Sequence, residues 1–223
     1  MSLEQDRWTG VGLDRQVQAA SSNPVILDGQ ALALWRGEDG PVRVWEDRCP
    51  HRGMRLSFGF VRGDTLRCIY HGWAYRTDGQ CVEIPAHPDL APPKTICANS
   101  YPAESRYGIV WTNLSGAGSA ALPDFGADEG WEPVRSIYVD RPASVVREAL
   151  HSFDFGDVSE VRMNGGSAAL VRVRSGLEIL FAVQPVSDGK TALHAVAKGQ
   201  GVAGRRADLA RRLERLRATI ERA

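Results

Sequence analysis

The stretch that decides the reading runs from Cys49 to Tyr75, CPHRGMRLSFGFVRGDTLRCIYHGWAY. It opens on Cys49-Pro50-His51 and closes on Cys68-Ile69-Tyr70-His71, with sixteen residues between His51 and Cys68. In each motif a thiolate sits close to an imidazole, at a separation that lets one tight loop point both inward. Two Cys and two His also suit a structural zinc ion, so the ligand types alone leave the metal open.

The flanking residues narrow the choice. Arg52-Gly53 follows the first pair and Gly72-Trp73 the second. CPHRG with YHGW resembles the Rieske signature, C-x-H, a spacer, then C-x2-H. The resemblance implies a [2Fe-2S] cluster with Cys on one iron and His on the other. Cys49 and Cys68 would then hold the inner iron, and His51 and His71 the outer one. A zinc ribbon accounts for the ligand types but not for CPHRG and YHGW together.

Two positions say which Rieske proteins the stretch is similar to. Respiratory and photosynthetic members carry a disulfide whose Cys positions correspond here to Met54 and Tyr70. Trp73 stands where their Ser hydroxyl would be, so the hydroxyl donors beside the second loop are expected to be missing. Fewer donors to the cluster sulfurs imply a potential toward the low end of the Rieske span, about −150 to +300 mV. The pattern resembles that of the oxygenase-associated Rieske proteins.

Composition agrees with a globular protein. The 223 residues carry 27 basic and 27 acidic side chains, and 43% are apolar. Zero net charge argues against nucleic acid or an anionic membrane as main partner. Apolar runs such as Ile179 to Val183 are too short for a bilayer, and the N-terminal residues show no signal-peptide core. Beyond the ligand motifs only Cys81 and Cys97 remain, too few for a disulfide scaffold. These features predict a cytoplasmic protein.

Short strand patterns separated by turn residues predict an all-β first domain. Val25 to Leu27 leads to a turn at Asp28-Gly29. Ala31 to Trp35 and Val42 to Trp45 flank a Gly-rich turn. Gly59 to Leu66 turns at Arg62-Gly63-Asp64, and Ile109 to Thr112 closes the sheet. Trp8 to Val17 shows no periodicity and reads as an entry segment. Residues 116–130 have the composition of a linker, which divides the chain into 1–115, a linker at 116–130, and 131–223. The last part predicts a strand at Arg135 to Val139, a helix from Pro142 to Leu150, a hairpin through Arg174-Ser175-Gly176, a strand at Thr191 to Ala197 and a final helix from Arg205. Leu209, Leu213, Leu216 and Ile220 line one face of that helix. The fold class is α+β: an all-β Rieske domain followed by a small helix-grip (START-like) domain, which the resemblance also implies.

In Rieske non-haem iron oxygenases the second domain holds a mononuclear iron on two His and one carboxylate. The family motif, an Asn, an Asp and two His, falls on His151, Asp154, Asp157 and Arg162 without gaps. An Arg keeps its proton and has no lone pair to give a metal. No catalytic residue is therefore assigned, and a mononuclear iron is not expected. A site drawn instead from His151 and His194 with Asp154 or Asp157 is the alternative; His87 reads as a loop residue. Asp154 keeps the position of the Asp that, in the family, links the Rieske histidine of one subunit to its neighbour's iron, making it an electron-relay candidate.

The reading is a Rieske oxidoreductase that carries electrons to an oxygenase. Implied partners are a flavin reductase or ferredoxin and an iron-bearing oxygenase subunit, in a homo- or hetero-trimer, with no nucleic acid and no membrane. Two alternatives stand beside it: a terminal aromatic oxygenase of the vanillate demethylase or phthalate dioxygenase type with displaced iron ligands, and a redox-sensing protein that binds a small ligand.

Overall fold

In the computed structural model the residues described are 7–115, 121–153 and 155–222. Strands β1 (Thr9–Leu13), β2 (Ser21–Leu27), β3 (Gln30–Arg36) and β4 (Arg43–Glu46) lead into the first Cys/His loop. Short strands β5 (Phe60–Arg62), β6 (Thr65–Arg67), β7 (Ala74–Arg76) and β8 (Cys81–Glu83) surround the second. β9 (Ser100–Tyr101), β10 (Ala103–Arg106) and β11 (Ile109–Thr112) complete this lobe. Its strands form three antiparallel sheets, ordered β2-β3-β4-β9, β5-β6-β7-β8 and β1-β11-β10.

The second lobe is built from β12 (Glu132–Val139), α1 (Ala143–Ser152), β13 (Val158–Asn164), β14 (Ala168–Val173), β15 (Glu178–Ser187), β16 (Lys190–Lys198) and α2 (Val202–Arg222). Its five strands make one antiparallel sheet, ordered β12-β16-β15-β14-β13. Both helices cover one face of that sheet. Pro142 sits at the N-cap of α1, where a missing N–H costs nothing. Leu209, Leu213, Leu216 and Ile220 of α2 are buried against the sheet, as the periodicity predicts. Three of the seven arginines of α2 pair with its own acids, Arg211 and Arg212 with Asp208 and Arg217 with Glu214. No helix among the described residues is long and apolar enough to cross a membrane.

Alternation along the strands gives the sheet two working faces. Ile179, Phe181, Val183, Leu193 and Ala195 face the helices. Their neighbours Leu180, Ala182 and Val196 face the first lobe and share a core with Leu13, Tyr107, Ile109 and Trp111. The two lobes thus bury one layer of side chains between them, each fully buried Leu or Ile contributing about 1.5–3 kcal/mol. Part of the segment read as a linker joins this layer: Phe125 is buried, and the Tyr107 hydroxyl accepts the Phe125 N–H at 3.0 Å. Residues 116–120 of that segment lie outside the described residues.

The entry segment proves to hold a strand. β1 pairs with β11, Thr9 opposite Thr112 and Leu13 opposite Ile109. Gly10 and Gly12 hide its pattern, and Gly10 has a packing reason to be small. A Cβ there would lie 2.4 Å from Ala182 Cβ and 2.8 Å from Ile109 Cγ2. β13 is also additional to the sequence reading, since its residues were absorbed into the iron-motif alignment. Gly10→Val is expected to wedge the lobes apart and lower stability by about 1–3 kcal/mol. Far-UV circular dichroism and tryptophan fluorescence, followed together through thermal unfolding, should show both lobes shifting as one transition.

Candidate metal centre

The two Cys/His loops are closed by the same hydrogen bonds. In the first, the Cys49 N–H donates to Met54 O at 2.8 Å and the Gly53 N–H to Cys49 O at 2.8 Å. In the second, the Cys68 N–H donates to Trp73 O and the Gly72 N–H to Cys68 O, both at 2.9 Å. Each loop turns through a glycine in the left-handed region, Gly53 at φ +73° and Gly72 at φ +71°, where a side chain is strained. The matched frames bring the unequal spacings, one residue between Cys and His against two, to one place.

Burial sorts the four side chains into two layers. Cys49 and Cys68 are each 2% exposed and lie close enough to perturb one another. His51 is half-buried and His71 exposed, with ring centroids 4.8 Å apart. Trp73 stacks face to face on His51 at 4.1 Å, and Tyr70 leans on His71 at 3.8 Å. Among the described residues, no three or more His, Cys, Asp or Glu gather round one point as a single ion requires. Thiols paired below and imidazoles paired above suit two metal atoms better than one.

The electrostatics favour the same group. Burial pushes the Cys68 thiol above its ordinary pKa and the adjacent Cys49 pushes it further, while backbone N–H groups of Tyr70 and His71 pull it down. Cys68 is therefore costly to ionise until a cation joins it, and iron supplies that charge. Burial, then His71 and Arg52, holds His51 below its ordinary value, so its lone pair is free for a metal. The residues present therefore fit a [2Fe-2S] group, with Cys49 and Cys68 able to hold the inner iron and His51 and His71 the outer. When bound, such a cluster carries one electron at a time.

Two further residues frame the site. Asp47, 5% exposed, accepts the Ser57 N–H and hydroxyl, both at 2.7 Å, and so pins the first loop at its base. Tyr75 is fully buried with its hydroxyl 3.1 Å from Cys49 Sγ. The expectation that hydroxyl donors are missing is thus corrected. Position 73 lacks a hydroxyl, but Tyr75 on β7 points inward and supplies one to the other cysteine. A large aromatic in a short apolar strand, buried on both faces, was the available signal.

The remaining candidates are scattered. His151 is exposed at the end of α1, and His87 is exposed in a loop. Asp157 pairs with Arg174 at 3.4 Å. Arg162 donates to Asp124 O at 2.9 Å and lies over the Phe125 ring. Asp154 lies outside the described residues. His194 faces the first lobe with Val196, so the sheet stands between it and His151 on the helix side. There His194 belongs to a directed chain: Ser136 Oγ lies 2.8 Å from Nδ1, Nε2 lies 2.6 Å from Gln184 Oε1, and Gln184 Nε2 donates to Ile26 O at 2.6 Å. Because the Gln184 amide donates onward, its oxygen accepts from His194 Nε2, leaving Nδ1 for the Ser136 hydroxyl.

Comparison with known proteins follows this geometry. The pattern of the Rieske [2Fe-2S] domain matches residues 7–102. The oxidoreductase NdmD of Pseudomonas putida is 34% identical over 168 residues, 73% of this chain and 26% of NdmD. Residues 7–102 are a Rieske [2Fe-2S] domain, similar to those of Rieske oxygenase family members. The 4beta-methylsterol monooxygenase of Methylococcus capsulatus is 36% identical over 115 residues, half of this chain and 31% of that enzyme. The chain thus spans about a quarter to a third of the length of these curated relatives. Among solved structures, NdmB of Pseudomonas putida CBB5 superposes with a TM-score of 0.81 at 19% identity, over 99% of this chain and 83% of NdmB. Dicamba monooxygenase gives 0.74 at 19%, over 100% and 99%. These structures share the fold of both lobes.

Tyr75→Phe should lower the midpoint potential of the reconstituted centre by on the order of 50 mV, because it deletes a hydrogen bond that favours the more negative, reduced sulfur. Protein-film voltammetry reads this directly. A second expectation concerns His194, whose pKa burial lowers to about 4 from an ordinary 6.5. The unfolded chain then binds the extra proton between those values, so stability falls as pH drops from 6.5 toward 4, by up to about 3 kcal/mol. Urea unfolding across that window should show the decline, and a shallower one in His194→Asn.

Proposed function

We propose that the chain is an electron-carrying member of the family, using Cys49, His51, Cys68 and His71 as cluster ligands and no mononuclear iron. In this reading residues 1–115 form the cluster domain, 116–130 the join, and 131–223 a helix-grip domain whose oxygen chemistry is absent. The observation that carries it is the fate of the two positions where the family motif calls for iron-binding His. Asp157 turns to Arg174, and Arg162 turns to Asp124 and Phe125, away from the helices. Beneath the helices lies a cluster of rings instead, Phe153 edge-on to Phe155 at 4.9 Å and Phe155 tilted against Phe181 at 5.1 Å. A dication placed between Asp157 and Arg162 would meet a guanidinium where it needs a second lone pair.

The relatives support this reading. NdmD, whose match extends to 168 residues, is named an oxidoreductase, whereas matches to proteins named as oxygenases, such as the 115 residues of the methylsterol monooxygenase, are shorter. The proposed setting is the cytoplasm, with a reductase or ferredoxin upstream and an oxygenase downstream.

Iron and acid-labile sulfide should each be about two per chain in anaerobically prepared protein, the stoichiometry of one cluster. The reduced EPR spectrum should show only the Rieske signal, with no ferrous-nitrosyl species on adding nitric oxide. A third iron that binds nitric oxide would establish the terminal-oxygenase reading in its place.

A further inference from the structure

The surface beside His51 is basic, with Arg48 and Arg52 on it. From Arg48 to Gly63 the sequence carries Arg48, Arg52, Arg55 and Arg62 and no Asp or Glu, although the whole chain is balanced at 27 against 27. All four arginines are exposed. Among the described residues none of them makes an ion pair, while Arg36, Arg67, Arg172 and Arg212 elsewhere each hold a carboxylate. Arg48 and Arg52 border a hollow of about 340 Å³ that reaches His51. Glu46 on its rim is engaged by Asn99.

Apolar surface accompanies the charge. Ile69 is 59% exposed and Tyr70 54%, immediately before His71. Of the nine large exposed hydrophobic side chains among the described residues, six fall between residues 58 and 90, so the first lobe, not the second, offers the contact surface.

We propose that this face docks an acidic protein that exchanges single electrons with the cluster, its carboxylates meeting Arg48 and Arg52 and its apolar patch covering Ile69 and Tyr70. The proposal rests on the electron-carrying reading above. The chemistry suits such a partner. Unpaired arginines steer a negative surface into place, and a small apolar patch gives a contact that forms and releases quickly. One electron passes from the partner's reduced centre to the oxidised cluster; the partner is oxidised, the cluster reduced, and no bond is made or broken. A twofold contact between copies of this chain is disfavoured, because it would set the arginines against themselves.

The test uses the full chain with its cluster reconstituted and an acidic plant-type [2Fe-2S] ferredoxin as probe, whose potential near about −400 mV makes transfer downhill. Stopped-flow absorbance gives the second-order rate of cluster reduction, and biolayer interferometry on the two oxidised proteins gives affinity without electron transfer. Raising salt from about 50 to about 500 mM should slow reduction about tenfold. Arg48→Glu with Arg52→Glu should slow it about tenfold or more and weaken binding in step. Arg205→Glu with Arg206→Glu on α2, the same change in net charge, should alter either by less than about twofold. Iron and sulfide content verify the cluster in each variant.

Equal losses in the two double variants, or a rate that rises with salt, would overturn the proposal. So would sedimentation showing that Arg48→Glu with Arg52→Glu changes self-association of the chain, which would assign the face to a second copy. The electron-carrying reading fails separately, on a third iron with substrate-dependent oxygen uptake, whatever the arginines do.

Discussion

Everything in the first lobe answers to a pair of thiols held side by side out of water. Such a pair is unfavourable to ionise alone, and its surroundings are built to make it tolerable once metal arrives. Backbone N–H groups of Tyr70 and His71 aim at Cys68, and the Tyr75 hydroxyl meets Cys49. Leu56, Leu66, Trp45 and Cys81 seal the layer beneath. Two loops with matching closing bonds reach this layer, the second of them joining β6 to β7 of the sheet ordered β5-β6-β7-β8. The imidazoles come to the surface as a consequence, because each loop places its histidine beyond the thiol.

The five-stranded sheet answers to a different demand. A sheet with helices on one face must still cover the other, and here the first lobe does so. Trp111 and Tyr107 lie on that face with Leu13, and the chain Ser136–His194–Gln184 ends on a backbone carbonyl of β2. A buried histidine with both nitrogens partnered is a polar strut that spans the join. Its placement separates it from His151 by a whole sheet, so the two share no common site.

Much of this was legible in the sequence, and the reasons differ by element. The ligand loops were plain because Cys, His and Gly at fixed spacing have few other uses. The hairpins at Asp28-Gly29 and Arg62-Gly63-Asp64 and the apolar stripe of α2 followed from turn chemistry and period. β1 was hidden because its glycines serve contact with Ala182, a partner far along the chain that no local pattern reports. The role of Tyr75 was not legible because its partner, Cys49, lies 26 residues earlier and β7, buried on both faces, gives no local pattern. Phe125 and Asp124 sit in a stretch whose composition reads as a linker, yet Tyr107 ties both down; the tie depends on tertiary contact, not on composition.

The shared layer between the lobes also bears on what the five-stranded sheet does for the cluster loops. Stripped of the sheet, Leu13, Ile109, Trp111 and Tyr107 would stand in water, and the strands that carry the cluster loops would lose their backing. The second lobe therefore serves the first as a wall, whatever else its helix side does.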